Sequence, residues 1–538
     1  MSSMKKLLGH VISGALTQGL LMRISNQADL EEIKTGKFVC IAGKHHTFFS
    51  LITDLSLAVT HPDILLFPPG ENEQFLAKTI ARKNMYATAQ IKPMLMLTSD
   101  NHVVPVKTIP PHFAPIYDAQ KKDIALIFGD EHDQHTPYFN IGCPLDMDTP
   151  VCLNLERLTE RSNGIFGKTG TGKTFLTRLV LAGLIKYDQA VNLIFDMHSE
   201  YGLQARKEGS HSFVKGLKTL FPQKVALFSL DPASTRRRGA TPDVEISIPY
   251  NAVQVEDILS LQEELNLHST ALEAAYLITA RYQHEWLSTL LSQGDRLKEF
   301  ANELGAHPES IAALYRKLKR IERFPFFKQM SQGAYKDSSA IDQIIEYLDK
   351  GISVIIEFGN FTSTLCYLLL ANMISRRIHT HYVVKTEQFL ATQSPHDEPK
   401  KLMITIEEAH KFLNPHSARQ TIFGTIAREM RKYYVSLLVV DQRPSGIDEE
   451  VISQIGTKIV AQLNDEKDIQ AVLTGISNAQ HLRSILASLE SKKQALIVGH
   501  AVAMPVVIQT REYNEAFYRA MAPNVTQTDI NSLIQEIF

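Results

Sequence analysis

Residues 167–174, Gly167-Lys168-Thr169-Gly170-Thr171-Gly172-Lys173-Thr174, fit the pattern G-x-x-x-x-G-K-[ST] at every position. Glycines at that spacing let backbone N–H groups turn inward around a polyphosphate, and the helix that follows adds the positive end of its dipole. Lys173 would reach the β- and γ-phosphates and the Thr174 hydroxyl would ligate Mg²⁺, so the chemistry indicated is binding of ATP with Mg²⁺ by residues 167–174 and the adjoining Phe175. A phosphate cradle hydrolyses nothing by itself; carboxylates must support the metal and orient water. Leu402-Met403-Ile404-Thr405-Ile406-Glu407-Glu408 supplies a pair. Glu407 takes the place usually filled by an Asp that supports Mg²⁺ directly or through water, and Glu408 would be the base that polarises the attacking water. The Glu at the first position keeps the charge and displaces it by one methylene. Leu437-Leu438-Val439-Val440 is capped by Asp441-Gln442-Arg443, which makes Gln442 a candidate sensor of the γ-phosphate. Arg428 and Arg431, after the carboxylate strand, are candidates for a cation acting on the next subunit's ATP, although helix arginines more often make surface ion pairs. Asp196, His198 and Glu200 follow the apolar run Val191–Phe195 at the end of a strand where parallel sheets bind ligands; a polar loop with local capping bonds is the alternative.

These groups need elements to hold them. Ile165-Phe166 reads as a strand running into the glycine loop and Phe175–Ala182 as a helix running out, which a chance glycine-rich turn would lack. Strands are expected at 191–195, 225–230, 244–248, 352–356, 402–406 and 437–440, an apolar helix at 363–379, a polar linker at 393–400 and an amphipathic helix at 419–432. Residues 253–345 carry helical periodicity almost without strand signals. The expected organisation is therefore an α/β core in two parts, 141–252 and 346–512, with a helical insertion at 253–345. Residues 1–140 hold short β-branched and aromatic segments, Phe38–Gly43, Asp63–Phe67 and Ala89–Leu97, which predict a small β-barrel; Pro105, Pro110, Pro111 and Pro115 mark a connecting stretch. In the tail, 513–538, Phe517, Met521, Ile530, Leu533, Ile534, Ile537 and Phe538 are spaced for a short amphipathic helix, to dock on a neighbour or to pack on its own domain.

The 538 residues suffice for roughly three to four domains. Hydrophobic residues at 44% and charged ones at 21% exclude a disordered chain. With 56 Lys and Arg against 58 Asp and Glu there is no global basic field, so any nucleic-acid contact must come from local patches. Two are visible: Thr235-Arg236-Arg237-Arg238-Gly239, read as a loop, and Tyr315-Arg316-Lys317-Leu318-Lys319-Arg320; each is otherwise a solvated face. Cys40, Cys143, Cys152 and Cys366 have no metal-ligand spacing and suit a reducing cytosol. Asp130–His135 reads as a solvated acidic loop, a metal site there lacking identifiable partner ligands. His10, Ser13, Thr17 and Gln18 interrupt what would be a signal peptide, and no apolar run approaches the ~20 residues of a spanning helix. A cytoplasmic protein without an integral membrane segment is expected.

The motifs Gly167–Thr174, Asp196–Gly202, Ile404–His410, Ile426–Ile447 and Ala495–Arg511, in this order and spacing, resemble the HerA family of FtsK-like hexameric DNA-translocating ATPases. The likeness spans about residues 6–512. It implies a RecA-like, additional-strand P-loop ATPase core with a helical insertion, and identifies the N-terminal segment with the HAS barrel that helps order the ring. Carried over by position, it assigns Lys173 and Thr174 to phosphate and Mg²⁺, Glu407 and Glu408 to metal and catalysis, Gln442 to γ-phosphate sensing, and Arg428 or Arg431 to the finger in trans. Arg511, after the closing strand Val506–Gln509, is a further candidate to approach the nucleotide. Such rings are similar to machines that thread double-stranded DNA and work with a separate effector: a NurA-type nuclease in end processing, or a nuclease or sirtuin-type NAD hydrolase in anti-phage defence. No nuclease signature stands out here, so an effector would be another polypeptide. The alternatives are an ATP-regulated scaffold ring that activates a partner without processive motion, and a type IV secretion ATPase.

Overall fold

This computed structural model describes residues 6–60, 85–100, 102–206, 213–329, 339–419, 421–476, 479–490 and 493–522. The chain divides into two units, Met1–Asn154 with Ile476–Arg511 and Leu155–Gly475 with Glu512–Phe538.

In the first unit, six antiparallel strands, Leu7–Ala15, Gly19–Ile24, Phe38–Ala42, Thr47–Val59, Met85–Leu97 and Pro115–Asp118, form a sheet that closes on itself, Leu20 pairing Ile91. Leu8, Val11, Met22, Ile41, Phe48, Ile52 and Ile91 fill its interior. Closure leaves these strands with paired neighbours, which is how a small barrel avoids reactive edges. The expected barrel is therefore present; the expected strand at Asp63–Phe67 lies outside the described residues. The proline-marked stretch is not merely a connection: Val103–Pro105 pairs with Met85–Leu97, and Pro115–Asp118 lies between Leu7–Ala15 and Phe38–Ala42. Proline at a strand's end removes no ladder bond that the sheet needs. Strands Tyr138–Pro144, Val151–Asn154, Gln494–Gly499 and Val506–Thr510 form a further antiparallel set in this unit.

The second unit is a parallel sheet. Its strands are β1 (Asn163–Phe166), β2 (Val191–Asp196), β3 (Val225–Ser229), β4 (Val244–Glu245), β5 (Ser353–Glu357), β6 (Leu402–Glu407), β7 (Val435–Asp441) and β8 (Thr457–Val460). The order is β4-β3-β5-β2-β6-β7-β1-β8. Every residue of β2, β5, β6 and β7 is buried, the pattern of parallel strands covered on both faces. The order matters for chemistry: β7 lies between β6, which ends in Glu407, and β1, which runs into the glycine loop.

Helices of this unit include α1 (Lys173–Lys186), α2 (Pro232–Arg237), α3 (Pro308–Leu318), α4 (Thr364–Thr392), α5 (Ile422–Glu429) and α6 (Glu515–Met521). The expected arginine loop is helix α2, because Asp231 caps Ser234 N and Pro232 occupies the first turn. The expected strand at 244–248 is split into β4 and Ile248–Pro249. Helix α4 runs past the expected 379 to 392 and stops where Gln393 adopts φ 51°. The expected helix at 419–432 is broken, α5 being followed by a 3₁₀ turn at Met430–Tyr433. The insertion between β4 and β5 is helical as expected, packed around buried Trp286, whose Nε1 donates to Val253 O at 2.8 Å. In the tail, Phe517, Tyr518 and Met521 are buried in their own unit, and the Tyr518 hydroxyl accepts from Lys215 N; Ile530, Leu533, Ile534, Ile537 and Phe538 lie outside the described residues.

Candidate nucleotide site

The glycine loop is set by its backbone. Gly167 N donates to Asp441 O on β7 (3.3 Å) and Lys168 N to Gln462 O (3.1 Å), so both neighbours of β1 fix the loop's entry. Gly167 and Gly172 adopt φ 156° and 94°. A Cβ at Gly167 would lie 2.8 Å from Thr171 Oγ1 and 2.9 Å from Ala461 Cβ, whereas one at Gly172 meets nothing within 4 Å. The first glycine is required by space and the second by its left-handed backbone. Lys173 Nζ donates to Lys168 O at 3.0 Å. Burial lowers its pKa, opposed by Glu408, Asp441, Glu407 and Glu200, so the ammonium sits among carboxylates.

The paired glutamates differ in environment. Glu407 is buried; its Oε1 accepts from the Tyr201 hydroxyl at 2.6 Å while Oε2 has no hydrogen-bond partner. Burial first, then the neighbouring Asp196 carboxylate, push its pKa up to about 8. From α4, the Tyr367 hydroxyl accepts from Glu407 N and donates to Glu407 O, each at 3.0 Å, holding the end of β6. Glu408 turns the chain at φ 49° and its Oε1 accepts from Gln442 Nε2 at 2.9 Å. Gln442 Oε1 in turn accepts from Thr169 Oγ1 at 2.5 Å. Thus Gln442, directly after β7, connects the glycine loop to the second glutamate. Asp441, at the end of β7, is buried and accepts from His410 N at 2.7 Å and Arg443 N at 2.6 Å, and its carboxylate raises the His410 pKa.

Thr174 Oγ1 donates to Glu200 Oε2 at 2.7 Å. The oxygen-only set of Thr174, Glu200 and Glu407, with an unpaired buried carboxylate oxygen on Glu407, fits a hard divalent cation. No cluster of three or more metal-ligating His, Cys, Asp or Glu is preformed among the described residues.

Of the three residues expected after β2, Asp196 acts as a cap, accepting from the backbone N–H of Glu200, Tyr201 and Gly202; His198 is exposed; Glu200 alone reaches the loop. The Glu200 carbonyl accepts from the guanidinium of Arg178, a fully buried side chain of α1. That guanidinium lies over the rings of Phe175 (5.7 Å) and Tyr513 (5.8 Å), so Phe175 packs toward the chain's C-terminal segment. Arg178, Tyr201, Tyr367 and Tyr513 are not evident as site residues from sequence; the one signal available is a lone cation within the apolar stretch of α1.

The arginines are unequal. Arg428 Nε donates to Glu450 at 3.3 Å and NH1 to Ala418 O at 3.3 Å, with Asp448 4.0 Å away. Arg431 is exposed and has no ion pair among the described residues. Arg238 pairs with buried Glu357 and donates to Ser199 O, and Arg236 pairs with Glu245, so α2 and its C-cap engage two cations internally. In the first unit, Arg511 is held by Glu131 (3.0 Å), Asn140 O (3.1 Å) and the face of Phe139. Asp130 and Asp133 cap their own loop through His132 N and His135 N, the local reading of that segment.

A parallel sheet with an additional strand between a glycine cradle and paired glutamates defines a P-loop ATPase. Residues 139–378 match the model of the helicase HerA central domain. Over 519 residues the chain is 23% identical to the DNA double-strand break repair helicase HerA of Saccharolobus solfataricus, covering 94% of this chain and 92% of that one. It is 22% identical to the protein of the same name from Pyrococcus furiosus, covering 83% and 79%. Over these spans the chain is similar to proteins of the HerA family. Among solved structures, VirB4 of Thermoanaerobacter pseudethanolicus is similar with a TM-score of 0.46 at 13% identity, over 72% of this chain and 99% of that one. No helix among the described residues is long and apolar enough to cross a membrane.

Proposed function

We propose that this protein hydrolyses ATP to move double-stranded DNA as a homo-hexameric ring in the cytoplasm, with a separate effector polypeptide, a nuclease or an NAD hydrolase, for DNA end processing or anti-phage defence. The observation that carries the ATPase reading is the path Thr169–Gln442–Glu408, because it ties the phosphate cradle to the carboxylate that would orient water. Lys173 and the backbone of 167–174 would hold the phosphates, Thr174 and Glu407 would hold Mg²⁺, and Gln442, bonded to Thr169 here, would turn to the γ-phosphate. Mg²⁺, when bound, supplies neutralisation of phosphate charge. Arg431 is the better candidate for the neighbour's finger, since Arg428 is held by Glu450. The DNA reading is supported by the HerA relatives, which are helicases of DNA double-strand break repair. Steady-state ATP turnover with and without duplex DNA tests it: stimulation by DNA is expected, and loss of turnover in Glu408→Gln and Lys173→Ala. Turnover indifferent to DNA would favour the scaffold ring.

A further inference from the structure

We propose that the face of the helical insertion bearing Arg316, Lys319, Arg320 and Arg323 binds the phosphate backbone of duplex nucleic acid; this rests on the DNA-translocase reading. The insertion is strongly polarised. Of the nine Lys and Arg between 253 and 329, six fall in 316–328, where Glu322 is the one carboxylate; the other ten Asp and Glu precede them. The sequence folds so as to present these cations: Ile311, Leu314, Leu318 and Ile321 are buried on the opposite side, while Arg316, Lys319, Arg320 and Arg323 are exposed. Arg316 lies on α3 and Lys319, Arg320 and Arg323 on the 3₁₀ helix Lys319–Arg323 that continues it, in which the spacing of three puts Arg320 and Arg323 on one face. Arg316 Nε donates to Ala312 O and Lys319 Nζ to the Tyr315 hydroxyl, bonds that steady the stems without neutralising the charge. None of the four makes an ion pair among the described residues, whereas the exposed Arg236 and Arg296 are matched by Glu245 and Glu299. A stripe from 316 to 323 spans ~10 Å, and duplex DNA offers about one charge per 1.7 Å of axis, so several phosphates lie within its reach.

The test is the binding of a fluorescently labelled duplex to the full chain across a series of salt concentrations. The variant Arg316→Gln/Arg320→Gln/Arg323→Gln is expected to weaken binding and to lower the slope of log affinity against log salt by about 0.9 for each phosphate no longer neutralised, about 2 to 3 in all. Its ATP turnover without DNA should equal that of the parent, and Arg281→Gln/Lys298→Gln, in the same insertion, should leave the slope unchanged. Parent protein that binds no duplex sinks the translocase reading itself. Parent binding with an unchanged slope in the triple variant, or an equal loss in the control pair, overturns the surface, and would leave an acidic protein as the partner of the stripe.

Discussion

Glu408 combines a left-handed backbone with a side chain engaged by a residue that follows another strand. A non-glycine residue at φ 49° costs on the order of 1 kcal/mol or more, and persists where the surroundings over-determine it. Replacing it with Gln keeps size and turn while removing the charge that would polarise water. Glu408→Gln is expected to lower turnover by about 10²–10⁴-fold, the range for a general base, with nucleotide affinity retained. Lys173→Ala should lose both, because it removes the ammonium from the cradle; equilibrium dialysis with labelled ATP beside steady-state turnover separates the two. A Glu408→Gln protein that turns over normally would remove Glu408 from the chemistry. The two arginines separate in the same way. Arg431→Ala is expected to cost about 10³-fold in turnover without loss of nucleotide binding, and Arg428→Ala, which frees Glu450 and Asp448, to change thermal stability rather than turnover. The reverse pattern would exchange their roles.

At the scale of elements, β8 carries a conflict that pH exposes. Lys458 is buried in an otherwise apolar stretch, its Nζ donating to Thr474 O at 2.9 Å, and burial lowers its pKa to about 8. The unfolded chain holds this proton up to its ordinary value of 10.5, so below about pH 8 the fold bears the cost of a buried charge. That cost is relieved as pH rises from about 8 to 10.5, since the unfolded state then binds more protons than the folded one. The shift corresponds to about 3 kcal/mol, and the bond to Thr474 offsets roughly 1 kcal/mol of any gain on its removal. Lys458→Met should therefore raise Tm at pH 7 by a few degrees, with a smaller rise at pH 10; calorimetry that found a larger rise at pH 10 would contradict the burial cost. Such a lysine shows where sequence stops being informative. The glycine loop, the strand ending in Glu407-Glu408 and the strand before Gln442 follow from local composition. So, in retrospect, does α2: Asp231-Pro232 is a helix-start signal, masked by the triple arginine that follows it. Helix α4 outlasts its apolar run because Lys385 pairs with Asp349 and Tyr382 is buried, interactions across the fold that no local pattern reports. Thr174 with Glu200 and Tyr201 with Glu407 are of the same kind, joined only by the order of strands.

For the whole molecule, the central question is whether one chain holds a complete site. Its own residues would supply cradle, carboxylates and sensor, whereas the exposed Arg431 has no ion pair among the described residues. In the proposed ring of identical subunits one copy's cradle would meet the next copy's cation, across a heterologous interface that closes by rotation. The consequence is complementation between two inactive proteins. Lys173→Ala retains Arg431 but lacks a working cradle; Arg431→Ala retains the cradle but lacks the cation. Neither should turn over ATP alone. Mixed in equal amounts and allowed to exchange subunits, about a quarter of the junctions would join an intact cradle to an intact arginine, as random assembly of a closed ring requires. Turnover should recover to a comparable fraction of the parent's, should rise with total protein concentration, and should vanish when the Arg431→Ala partner also carries Glu408→Gln. A mixture that stays inactive while gel filtration shows mixed rings would mean that the cation comes from the same subunit or from another residue, and activity of an isolated monomer equal to that of the ring would dispense with the neighbour altogether.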